Sequence, residues 1–265
     1  MKFRILAVAA LVLGSMSVYA PAAQAFDFTT CTIVGTDGDD TLTGTAGDDI
    51  ICGLLGTDTI DAGAGNDTVV MSAGEIVTVN LGDGDDSFDG TLGASATIDG
   101  GPGNDSIIGT AGDDHITGGL GAVGDEDTID AGAGNDIIDG EVGEILIVTL
   151  GDGNDVLNGG GADASTVDGG DGEDVITGTA GDDTLNGGGG NDTVTGVNGN
   201  DFIDGGLGDD NVTGSPGSDT INGGDGADKM FGLAGTDFLN GGLGDDIIAG
   251  GDGVDTLDGG FGLNM

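Results

Sequence analysis

A nine-residue repeat governs this chain. Over residues 169–258 ten units follow one another without a gap, from GGDGEDVIT and GTAGDDTLN to GGLGDDIIA and GGDGVDTLD. Positions 1 and 4 are always Gly and position 6 is always Asp. Position 8 is always apolar: Ile176, Leu185, Val194, Ile203, Val212, Ile221, Met230, Leu239, Ile248 and Leu257. Four more units span residues 35–70. A short fixed period means that each unit buries its apolar side chain only against its neighbours, as in a solenoid.

Glycines at positions 1, 2 and 4 permit positive φ and close backbone approach, so the first six residues form a tight loop. Positions 7 to 9 are aliphatic or β-branched and extended. Side chains alternate faces along a strand, so position 8 points inward while 7 and 9 point out. Two units then make one 18-residue coil, and alternate units build two facing parallel sheets.

The pattern resembles the RTX, or hemolysin-type, calcium-binding nonapeptide repeat family, and the resemblance covers about 230 residues, nearly the whole chain beyond its first 25. It implies an all-β fold, a right-handed parallel β-roll. It also assigns the position-6 aspartates to Ca²⁺, several ions in all, with backbone carbonyls completing each shell. Those residues are Asp40, Asp49, Asp58, Asp67, Asp86, Asp105, Asp114, Asp136, Asp155, Asp174, Asp183, Asp192, Asp201, Asp210, Asp219, Asp228, Asp237, Asp246 and Asp255. The physics agrees. Pairs such as Asp174 with Asp192 are 18 residues apart in sequence and one strand spacing, about 4.8 Å, apart in space. Two carboxylates at that distance repel by roughly 3 kcal/mol at an effective dielectric near 20. A hard divalent cation between them reverses the sign. Ca²⁺ accepts six to eight oxygens in a flexible cage, whereas Mg²⁺ demands tighter geometry. One dependable core side chain per unit is a thin core, so folding is expected to be coupled to ion binding.

Charge points the same way. The chain has 49 acidic and 3 basic residues, and only Lys229 is basic beyond Arg4. Such a chain repels nucleic acid and anionic membrane surfaces and attracts cations. The regular Ile, Leu and Val placement argues against disorder. The 62 Gly residues lack the three-residue period of collagen.

Residues 71–168 are irregular. Asp86, Asp105, Asp114, Asp136 and Asp155 sit in intact units. These alternate with ten-residue units lacking the position-6 Asp: MSAGEIVTVN, GTLGASATID, GEVGEILIVT and GGGADASTVD. Alternation puts the losses of a block on one edge, so the middle roll is expected to bind calcium on one edge only. The runs 75–81 and 144–150 are expected to extend strands there. The block recurs at a shift of 69 residues, with AGAGND identical and GEIVTVNLGDG answered by GEILIVTLGDG. The 13-residue unit 118–130 is expected to bulge at 122–126.

Residues 1–25 read as a secretory signal peptide: Lys2 and Arg4, an apolar run over 5–13, and a small-x-small site ending at Ala25. The run is too short for a transmembrane span. Residues 26–34 form a leading cap, where Phe26 and Phe28 could cover the core, and the roll occupies 35–265. Cys31 and Cys52, a close pair in an exported chain, point to a disulfide tying the leading segment to the second unit, with two free thiols as the alternative. His115, the only His, falls at outward position 7 and reads as a surface residue. Phe202, Phe231 and Phe238 form an exposed patch or pack on neighbouring strands. The chain stops at GGFGLNM, where an open roll end is covered, frays or pairs end to end.

No Ser/His/Asp set, Cys/His pair or HExxH motif occurs. The expectation is therefore a non-enzymatic, extracellular calcium-binding protein of structural or adhesive role. A glycan or another protein is its conceivable partner, and membrane insertion is not expected. The alternative is a calcium-dependent module of a secreted protease, lipase or polysaccharide-modifying enzyme. Many members of the family are exported by a C-terminal signal instead, so the N-terminal one departs from that pattern.

Overall fold

The computed structural model describes residues 30–119, 125–140, 144–161 and 164–265. The expected signal peptide and Phe26 and Phe28 lie outside them. Among the described residues there is no helix, and all strands pair in parallel. Thirteen strands, from Ile33–Val34 to Thr256–Asp258, form one sheet; twelve, from Thr41–Thr45 to Ile247–Gly253, form the other. Strands alternate between the sheets along the chain, so the molecule is a parallel β-solenoid of two facing sheets.

The register follows position 8 through every irregularity. Ile51 pairs with Val69, Val69 with Phe88, Phe88 with Ile107 and Ile107 with Ile129, at steps of 18, 19, 19 and 22 residues. The added residues are absorbed outside the paired triplets because a one-residue slip would turn each core side chain to solvent. Ile176 is fully buried while its neighbour Val175 is half-exposed. The inward residues of both sheets form one continuous core. At the last unit Leu257 is 50 % exposed, since no further first-sheet strand covers it.

Cys31 and Cys52 are joined in a disulfide, which ties the residues before Ile33–Val34 to the second unit. The strands Ile76–Asn80 and Glu144–Asp152 are longer than the three-residue strands of neighbouring units, as the apolar runs predict. The expected bulge at 122–126 is corrected in part. Residues 122–124 lie outside the described set, but Asp125 and Glu126 are strand residues paired with Glu144 and Ile145.

Candidate metal centre

Positions 6 and 8 lie two residues apart and therefore share the inward face. The position-6 aspartate is thus drawn under its own loop. Seventeen of the nineteen aspartates expected at this position are buried, and Asp40 and Asp255, in the first and last complete units, are half-buried. Each except Asp40, which Thr36 of its own unit holds, is fixed by the coil that precedes it. The N–H of Asp174 donates to Oδ1 of Asp192 at 2.9 Å, Asp192 to Asp210 at 2.8 Å, and Asp210 to Asp228 at 2.9 Å. The same bond runs from Asp183 to Asp201 and on to Asp219, Asp237 and Asp255. Each edge of the roll therefore carries a ladder of stacked carboxylates.

Each ladder is interrupted over two coils. On the edge leading into the thirteen-stranded sheet, Asp49, Asp67, Asp86 and Asp105 are followed by Asp127, then by Leu146 and Ser165 in register. The ladder resumes where Ser165 N–H donates to Asp183. On the other edge Asp40 and Asp58 are followed by Val77 and Ala96, and the ladder resumes at Asp114, Asp136 and Asp155. The expectation of one bare edge through the middle is thereby corrected. The 69-residue shift spans seven units, an odd number, so the second copy of the block turns its gap to the opposite edge.

Two kinds of rung are present. Where position 2 is Thr or Ser, its N–H closes the carboxylate locally: Thr45 N–H to Asp49 Oδ2 at 2.7 Å, Thr179 N–H to Asp183 Oδ2 at 2.7 Å, and Ser215 N–H to Asp219 Oδ2 at 2.7 Å. Thr36 and Thr110 serve Asp40 and Asp114 in the same way. Where position 2 is left-handed, as at Gly188 (φ 101°) or Leu54 (φ 81°), that amide makes no such bond. In those units Oδ2 of Asp58, Asp67, Asp86, Asp136, Asp155, Asp174, Asp192, Asp201, Asp210, Asp228, Asp237 and Asp246 is buried and accepts no hydrogen bond.

Burial pushes these carboxyls up: Asp136, Asp174 and Asp210 to about 7, and Asp86, Asp201 and Asp228 to about 6, with neighbouring rungs adding to the rise. Asp49 moves down instead, because the Thr45 hydroxyl and N–H bond its charged form. Position 1 is Ala or Leu in four intact units, at Ala62, Leu81, Ala131 and Leu150, but in the others packing leaves room only for Gly. A Cβ on Gly187 would stand 2.4 Å from the carbonyl oxygen of Gly205 and 2.6 Å from Asp192 Oδ2.

Sequence reasoning missed four features. Asp127 continues the ladder although its unit has 13 residues; the DTID shared by residues 58–61 and 127–130 was the available signal. Asn264 accepts from Asp246 N–H at 2.9 Å, so GGFGLNM begins one more unit with Asn at position 6. Position 5 carries an exposed ladder running the other way, as in Asn200 N–H to Asp182 Oδ1 at 2.7 Å and Ser218 N–H to Asn200 Oδ1 at 2.9 Å. Glu75 is buried beside Asp58; burial holds its carboxyl at about 7, against the Ser72 N–H, which favours the charged form. Of the residues weighed for other roles, His115 is half-exposed and faces Asp139 at 3.1 Å. Phe202 and Phe238 lie on one sheet with Thr220 between them, and Phe231 lies on the other sheet, so the three form no common patch.

The donor set fits a hard cation. Carboxylate oxygens without hydrogen bonds stand beside glycine carbonyls of the next coil, and Ca²⁺ binds both kinds of oxygen. Among the described residues no three carboxylates converge on one point, so an ion here would take one or two carboxylates and complete its shell with other oxygens. With one basic residue beyond Arg4, the chain cannot neutralise the ladders itself.

No curated protein matches the chain as a relative. The family description "RTX calcium-binding nonapeptide repeat (4 copies)" matches residues 32–69, 95–122, 124–144, 147–164, 168–203, 204–239 and 231–265. Those matches span most of the chain and include every position-6 aspartate named above except Asp86, and the protein belongs to the RTX calcium-binding nonapeptide repeat family.

Proposed function

We propose that this protein is a secreted, non-enzymatic calcium-binding scaffold, structural or adhesive at the cell surface or in the surrounding matrix, whose folding is coupled to Ca²⁺. The observation that carries this reading is the pair of buried aspartate ladders with carboxylate oxygens lacking hydrogen bonds. Stacked like charges under a thin core oppose the coil until a cation joins them. Asp192, Asp210 and their equivalents would hold the ions, with glycine carbonyls of adjacent coils. Coupling suits export: a chain of net charge −46 stays unfolded where Ca²⁺ is scarce and folds where it is plentiful. A scaffold role is supported by the absence of a catalytic motif in the sequence and by the placement of His115 on an outer strand face.

Calcium titration followed by far-ultraviolet circular dichroism, with native mass spectrometry to count ions, tests the reading. A β spectrum that appears on adding Ca²⁺ and disappears with chelator is expected. An unchanged β spectrum in chelator at neutral pH would overturn the coupling.

A further inference from the structure

Glu75 occupies position 5 of the ten-residue unit 71–80, where no position-6 Asp is present. Its side chain is nevertheless buried, at 1 % exposure. Oε2 accepts the N–H of Ser72, at position 2, at 2.7 Å. This is the bond that Thr45 N–H gives Asp49 Oδ2 and Thr179 N–H gives Asp183 Oδ2. Glutamate is one methylene longer than aspartate. It reaches from position 5 to where an aspartate reaches from position 6, while Val77 takes the inward place in register with Asp58.

The other oxygen has no such partner. Glu75 Oε1 accepts no hydrogen bond, and neither does Oδ2 of the buried Asp58. Both point at one spot: a Cβ on Gly53 would stand 2.1 Å from Glu75 Oε1 and 2.4 Å from Asp58 Oδ2. In ordinary rungs the matching spot faces one aspartate oxygen and one neutral carbonyl. At Gly187 these are Asp192 Oδ2 and Gly205 O; at Gly35 they are Asp40 Oδ2 and Gly53 O. At Gly53 a carboxylate oxygen has replaced the carbonyl. Burial, with the Asp58 carboxyl beside it, raises the Glu75 carboxyl to about 7, so at neutral pH and above the two water-shielded oxygens are costly unless a cation joins them.

We propose that Glu75 and Asp58 together hold a divalent, oxygen-seeking cation, a site of glutamate–aspartate type lying outside the position-6 series. Ca²⁺ fits better than Mg²⁺ because it accepts oxygens in a flexible, irregular cage, whereas Mg²⁺ demands a near-ideal octahedron. Glu75 thereby carries the ladder one coil past Asp58, into the region that its sequence leaves without aspartates. The inference rests on the calcium-ladder reading of the roll, and its test separates the two.

Native mass spectrometry at saturating Ca²⁺ is applied to the full chain, to Glu75→Gln, which keeps the Ser72 acceptor, and to Glu126→Gln, which removes an exposed acid. The E75Q protein is expected to bind one ion fewer than the parent, and E126Q the same number. If the parent binds ions and E75Q binds as many, the Glu75 site is wrong and the ladder reading stands. If the parent binds none, both fall. Should E75Q fail to fold, crystals of the parent grown in Ca²⁺ decide the question. An anomalous peak touching both Glu75 Oε1 and Asp58 Oδ2 is expected; two carboxyls in direct contact, sharing a proton with no peak, overturn the proposal.

Discussion

Asp192 donates its N–H to Oδ1 of Asp210, 2.8 Å away in the next coil, while the second oxygen of the Asp210 carboxylate is buried and accepts nothing. One atom of the side chain is therefore structural and the other is free for a cation. Asp210→Asn keeps an acceptor for Asp192 and removes the charge. In chelator this substitution is expected to raise stability, because repulsion along the ladder falls. In Ca²⁺ it is expected to lower stability and remove an ion. Asp210→Ala also orphans the Asp192 N–H, which costs about 1–3 kcal/mol in either condition. Paired thermal melts with and without Ca²⁺ read all three outcomes.

Raised carboxyl values fix the sign of the pH dependence. Asp136, Asp174 and Asp210 stand at about 7 in the folded, metal-free chain, against an ordinary value of 3.8, because burial penalises the charge. Protonation therefore favours the metal-free fold. Its contribution is complete below pH 3.8 and is lost as pH rises through about 7. Without Ca²⁺, β structure is expected near pH 4 and its loss near pH 8, followed by circular dichroism. Protons compete with the cation, so apparent calcium affinity is expected to rise between pH 5 and pH 8 in a titration series.

Thr179 and Gly188 occupy position 2 of adjacent units and leave their aspartates in different states. Thr179 satisfies Asp183 through its N–H and hydroxyl, both at 2.7 Å. Thr179→Gly is expected to lower the melting temperature in chelator by the equivalent of about 1 kcal/mol, the worth of one hydrogen bond. It also widens the gap between the melts in chelator and in Ca²⁺, since Asp183 Oδ2 is released.

Val197 holds φ of 75° at a position where glycine is the rule. A β-branched residue in the left-handed region carries strain of about 1–2 kcal/mol. Val197→Gly is expected to raise stability in Ca²⁺ by up to that amount, since the side chain is already 36 % exposed and little packing is lost. Chelator-induced unfolding monitored at several temperatures checks it.

Glycines of one unit differ in what they tolerate. At Gly187 a Cβ meets Gly205 O at 2.4 Å and Asp192 Oδ2 at 2.6 Å, whereas at Gly189 the nearest atom is Asp171 Oδ1 at 3.2 Å. Gly187→Ala is expected to cost more than 2 kcal/mol, on the order of other severe steric insertions. Gly189→Ala is expected to stay within about 0.5 kcal/mol of the parent, as a surface change does. Calcium-midpoint shifts for the two variants, measured side by side, test the contrast.

The fold was legible because its information is periodic. A position-8 aliphatic every nine residues names the inward face, and Asp at position 6, two residues earlier, shares that face. The 19-residue steps from Asp67 to Asp86 and Asp105 were readable for the same reason. Asp127 escaped because four extra residues broke the count, although the register absorbed them. Glu75 escaped because it stands at the wrong position of a broken unit; only its length and the inward turn of the loop bring it to Asp58.

From its own letters the chain determined the coil, the inward residues and the excess of carboxylates, since each depends on local spacing. Tertiary structure decided which carboxylate oxygens are saturated, on which edge each gap falls and which acid faces Asp58. Those outcomes depend on the sign of φ at position 2 and on atoms from coils 17 to 22 residues away, which meet only when the sheets stack.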